Sequence, residues 1–146
     1  INTIPKAPEH QTIPDKSDVL AYGKYIANAS GCAECHTPVE QGQLIEGMTN
    51  AGGREFKLPF GLLRTPNLTP DPETGIGLWT KEQFIERFKS YLPEHYTPQE
   101  TGTGYNTIMP WTMYSGMKEE DLSALFDYLK SQKPIVNKVV RFEPAS

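Results

Sequence analysis

Three stretches of the chain carry a helical period, and between them the period is lost. Val19, Tyr22, Ile26 and Ala29 recur at steps of three and four, so the spacing predicts a helix opening at Ser17 or Asp18 and running to about Ala29, with those four side chains on its buried face. Gly31 is placed to end it. Phe84, Ile85 and Phe88 form one apolar stripe on a shorter helix ending near Leu92, and Thr80 with Gln83 make a capping-box pattern at its start. Leu122, Leu125, Phe126 and Leu129 mark a third helix. It begins near Glu119, where three acidic residues complement the helix dipole, and Pro134 forbids its continuation.

The intervening segments read differently. Residues 1–16 are polar and broken by Pro5, Pro8 and Pro14, which favours an extended tether. From 37 to 80 no period persists, and Gly, Pro, Asn and Thr dominate; so long an irregular run inside a compact domain wraps a ligand or is disordered. A second loop, rich in Thr and Gly, leads to Ile108, Met109, Pro110 and Trp111. Beyond Pro134, Val136, Val139 and Val140 are apolar enough to pack back on the body but show no pattern. The expected architecture is a mostly α domain over residues 17–134, with roughly three to five helices and long loops, between a tether at 1–16 and a tail at 135–146.

Charge narrows the partners. A formal net charge of -4 gives no basic field for a phosphate backbone or an anionic membrane, so nucleic acid is excluded and a partner with a positive docking patch is favoured. No stretch has the length of a transmembrane helix, and no signal peptide stands at the front. The sequence opens at Ile1 without Met, which is compatible with a signal peptide or membrane tether upstream of residue 1.

The chemistry is concentrated in CAECH. Cys32, Cys35 and His36 match C-x-x-C-H, in which two thiols add across the vinyl groups of a porphyrin and the following imidazole lies under the iron. A zinc site needs more Cys or His ligands at workable spacing, and only the isolated His10 and His95 are left. A catalytic dithiol usually follows a strand in an α/β pattern, whereas this pair follows a helix. Haem attachment is therefore the favoured reading over a zinc or thiol-disulfide module. The sixth iron ligand then decides between carrier and ligand-binding protein. Met109 is the first choice, because Pro110 behind it excludes helix and holds the chain extended; Met113 is second. Met48 reads as a loop residue, Met117 as a staple packing on Leu122 or Phe126, and His95 as a remote alternative. For any one methionine, core filling is the ordinary use.

On these residues the sequence resembles the class I c-type cytochromes, and more closely the bacterial monohaem domains similar to cytochrome c subunits of alcohol and gluconate dehydrogenases. The resemblance runs from about Ala21 to Pro134 and rests on GKYIANASGCAECHTP, on LRTPNLTPDPETGIGLWT, and on MPWTMYSGMKEEDLSALFDYLKSQKP. It implies that the first and last helices cross, with Gly23 allowing close approach near Leu125 to Tyr128, and that the axial methionine is Met109 at the Met-Pro step. It also implies that Arg64, Thr65, Asn67 and Trp79 line the haem or its propionates, although Asn and Thr are equally what a plain turn needs. Two departures stand out: those subunits often carry several haems while this chain has a single CxxCH, and Lys118 occupies a position where a Ser, Thr or Asp cap is usual. Asp71 and Glu73 miss calcium-loop spacing and read as a turn.

The function implied is single-electron transfer through one covalent haem c ligated by His36 and Met109, in a bacterial respiratory or dehydrogenase-linked chain, with redox proteins as partners and no catalysis by the chain itself. A periplasmic or other extracytoplasmic location, with or without an anchor, accompanies it. The rival is a haem-based sensor or peroxidase-like enzyme with an open sixth site.

Overall fold

The computed structural model describes residues 12–97 and 107–145. Most of the predicted tether and the isolated His10 lie outside them. Five helices are present among the described residues: α1 (Val19–Ala29), α2 (Cys32–His36), α3 (Lys81–Lys89), α4 (Trp111–Tyr114) and α5 (Glu119–Ser131).

Asp18 caps α1, its carboxylate accepting from Ala21 N–H at 3.1 Å. The buried face of this helix is Tyr22, Gly23, Ile26 and Ala27, whereas Val19 and Ala29, expected inside, are exposed. The reason is Gly23: a Cβ there would lie 2.1 Å from the Ala124 carbonyl oxygen and 2.7 Å from Tyr128 Cβ. The α1–α5 contact line is drawn onto the glycine, rotating the buried stripe away from the positions that apolar spacing alone selects. Thr80 and Gln83 form the full reciprocal capping box of α3. Lys118 gives α5 no side-chain cap, and the carboxylates of Glu119, Glu120 and Asp121 in its first turn supply the compensating charge. Leu122, Leu125, Phe126 and Leu129 from α5 meet Tyr22 and Ile26 from α1 and Phe84 and Phe88 from α3 in one core.

The region from 37 to 80 is not wholly irregular. β1 (Val39–Glu40) and β2 (Gln43–Leu44) make a minimal hairpin, turned by Gln41 and Gly42 at φ of 50° and 81°. β3 (Glu55–Leu58) pairs antiparallel with β4 (Gly61–Arg64). The tail completes that sheet, because β5 (Phe142–Pro144) pairs with the other edge of β4 with Leu63 opposite Phe142. Of the tail's valines, Val136 is 76 % exposed and Val140 also faces solvent, whereas Val139 is half-buried. Backbone pairing and the polar contacts of Ile135 and Asn137 hold the tail.

Candidate functional site

Gly31, in the left-handed region at φ 65°, turns the chain from α1 directly into α2. On that single turn Cys32 and Cys35 stand three residues apart and share a face, Cys32 half-buried and Cys35 exposed. Burial pushes the Cys32 thiol up to about 11. A working dithiol needs the opposite, a thiol brought down toward neutrality by positive surroundings. Among the described residues no three His, Cys, Asp or Glu side chains are grouped so as to hold a metal ion.

His36 is 5 % exposed. Its Nδ1–H donates to the Pro66 carbonyl at 2.9 Å; a carbonyl can only accept, so the proton is on Nδ1 and the lone pair is left on Nε2. Burial pushes the imidazole pKa down, the Pro66 bond partly opposes this, and the nearby Arg141 charge reinforces it. Burial thus favours the neutral ring, the form that can ligate iron. Behind it, Gly52 N–H donates to the His36 carbonyl at 2.6 Å, and a Cβ on Gly52 would meet Pro66 C at 2.5 Å. Only glycine fits between the histidine and the peptide that orients it.

Met109 is half-buried against the core, alongside Tyr25, Cys32, Leu68, Trp111 and Tyr114. Met113 is 77 % exposed. The hydroxyl of Thr107 accepts from both Met109 N–H and Trp111 Nε1–H at 3.2 Å, and Trp111 stacks on Tyr91 at 4.8 Å. Pro110 does not prolong an extended segment, as its effect on local angles predicts, but opens the single turn of α4. At the other end of that turn, Tyr114 donates its hydroxyl to the Ser30 carbonyl at 2.7 Å, tying the Met109 segment to the end of α1. Met48 sits in a turn, Met117 packs on the core, and His95 is exposed.

The four residues expected to line the haem separate. Arg64 lies on β4, and its guanidinium is bound by Glu55 at 2.9 Å and Glu143 at 2.8 Å. Its guanidinium thus bridges β3 and β5 across β4. Asn67 is buried and wholly engaged: Nδ2 donates to Thr74 Oγ1 and the Ile135 carbonyl, and Oδ1 accepts from Thr69 N–H and Oγ1–H. Both amide protons are engaged, so Asn67 organises the loop and ties it to the segment after α5. Thr65 is buried, its hydroxyl accepting from Arg54 N–H at 3.2 Å, and Trp79 is partly exposed beside α3. Asp71 behaves as the turn residue expected, accepting from Thr74 N–H at 2.7 Å and Oγ1–H at 2.6 Å. Gly52 and Asn137 carry no mark in the sequence pattern, since glycines abound in this loop and Asn137 lies in a tail without period.

A family model described as "Cytochrome c" matches residues 20–133. The chain belongs to the cytochrome c family. The observed helices and wrapping loops are those of the class I cytochrome c fold. Membership brings with it covalent haem c and electron transfer. This cytochrome is similar to a subunit of the nicotinate dehydrogenase of Pseudomonas putida, with 35% identity over 80% of this chain and 9% of the relative. It is also similar to the cytochrome c subunit of the quinone alcohol dehydrogenase of Gluconacetobacter polyoxogenes, with 32% identity over 86% of the chain and 24% of that protein. A diheme cytochrome c-type protein of Cereibacter sphaeroides shares 31% identity over 77% of the chain and 36% of its own length. The cytochrome thus spans a quarter or less of the first two relatives. The donor set fits haem c: two thiols on one face of a helical turn, a buried imidazole whose Nδ1 is bonded to the Pro66 carbonyl, and a half-buried thioether, Met109, packed like Cys32 against the core.

Proposed function

We propose that this cytochrome carries single electrons on one covalently bound haem c, ligated by His36 and Met109, in a bacterial dehydrogenase-linked or respiratory chain outside the cytoplasm. The haem supplies a one-electron exchange at its iron, and the protein fixes which ligands that iron sees. The observation that carries the reading is the His36 imidazole, buried and locked by Pro66 into the tautomer that presents Nε2.

Each remaining residue has a defined task. Cys32 and Cys35 form the thioether links, and because Cys35 is exposed, the porphyrin edge attached to it is the port through which a partner exchanges electrons. Met109 supplies a soft thioether that favours reduced iron and raises the potential. Thr65 and Trp79 are left as the propionate-side contacts. The partners are redox proteins, one donor and one acceptor; the dehydrogenase names of the relatives favour a dehydrogenase as donor. No described helix is long and apolar enough to cross a membrane.

Carbon monoxide tests the reading against the open-site alternative. The reduced native protein is expected to resist it, because a bound thioether must first leave; rapid binding would overturn the carrier assignment and favour a sensor or peroxidase.

A further inference from the structure

The segment after Pro134 reaches the surroundings of the axial histidine from two sides. On one side Asn137 Nδ2 donates to the Ala51 carbonyl at 2.9 Å and lies 3.4 Å from that of Gly52. Gly52 is the residue whose backbone packs between the His36 carbonyl and the Pro66 peptide, and its neighbour Ala51 is fully buried. On the other side Asn67, next to Pro66, donates to the Ile135 carbonyl at 2.7 Å, while Ile135 and Asn137 N–H groups donate to the hydroxyls of Thr69 and Thr74 at 3.1 and 3.0 Å. The Pro66 carbonyl therefore stands between two walls, each bonded to the same three-residue stretch.

We propose that residues 135–137 are a positioning strap for the proximal histidine, and that the Asn137 amide, by holding the Ala51–Gly52 backbone against the Pro66 peptide, sets the strength of the His36 Nδ1–H bond. This rests on His36 being the iron ligand. The chemistry is that of an outer-shell group: a stronger Nδ1–H to carbonyl bond makes the imidazole a better electron donor, stabilises oxidised iron and lowers the potential. A carbonyl free to drift weakens that bond and raises the potential. The backbone alone gives the strap no such grip on Ala51, because the amide side chain makes that bond.

Two measurements on the haem-loaded protein test the strap: the reduction midpoint, and the exchange rate of the His36 Nδ1 proton by NMR in the diamagnetic reduced state. Asn137→Ala is expected to raise the midpoint and speed that exchange severalfold, with the sulfur-to-iron band of the oxidised protein retained. Arg64→Gln, which breaks the bridges to Glu55 and Glu143 that hold β5, is the control for general loosening of the tail and is expected to move neither. An Asn137→Ala protein with both quantities unchanged, or an Arg64→Gln protein altered as much, overturns the proposal while leaving the ligand assignment intact. Should Asn137→Ala fail to fold, the unmodified protein decides: its Nδ1 proton must be among the slowest to exchange, and exchange as fast as that of exposed amides refutes a held carbonyl. Absence of haem, or of His36 ligation, would instead be a failure of the functional reading itself.

Discussion

Met109 precedes the single turn of α4 and Met113 lies within it, four residues on, and burial separates them. Met109 is half-buried and packs against the core, while Met113 stands in solvent. Replacing Met109 with Ala is therefore expected to abolish the weak far-red sulfur-to-iron band of the oxidised protein and to admit carbon monoxide, whereas Met113→Ala leaves both unchanged; the reverse pattern would refute the ligand assignment. Asp71 carries a second prediction. Hydrogen bonds from the Thr74 side chain and backbone hold its pKa below the usual carboxylate value of 3.8. A group whose folded pKa is depressed contributes its stability above the unfolded value and loses it as pH falls through the folded one. The melting-temperature gap between wild type and Asp71→Asn should thus be full at pH 7 and close as pH drops below 3.8; a pH-independent gap would contradict this. At this scale the sequence was most legible where one residue type has one chemistry, as with CxxCH. It was least legible at Asn67 and Arg64, whose partners Ile135 and Glu143 lie 68 and 79 residues away. A side chain equally able to serve a turn, an ion pair or a propionate is assigned only by those distant partners.

Among the elements, the three periodic helices were readable because caps and stripes are local: Asp18, the Thr80–Gln83 box and the acidic turn at Glu119 all lie within four residues of what they stabilise. The strands were not, since β3 and β4 are short and bordered by loop residues, and β5 has no meaning until β4 is beside it. α4 leaves no signature because one turn is shorter than a helical period can reveal. Removing the capping hydroxyl in Thr80→Ala should cost about 1 kcal/mol in denaturant unfolding, and no loss would mean that the box is idle. Gly23→Ala is more severe. With the new methyl driven into the Ala124 carbonyl, the α1–α5 contact must open, and a destabilisation of about 1–3 kcal/mol is expected from overpacking. A neutral result would show that the helices pack with more room than observed.

For the whole molecule, the two ends of the proposed haem site come from widely separated parts of the chain. α2, entered directly from α1, carries the attachment residues, and the segment leading into α4 carries the proposed axial thioether. The irregular loop between them supplies Pro66, and the tail after α5 grips that loop from behind. The helices build a core against which the loops are ordered, and the loops determine what the iron meets. All of this depends on a porphyrin being bonded to Cys32 and Cys35. The most direct test is the intact mass, under denaturing conditions, of protein made in a cell equipped for cytochrome maturation. The account predicts the mass of the polypeptide plus one haem, retained after denaturation; a mass equal to the bare polypeptide would contradict it.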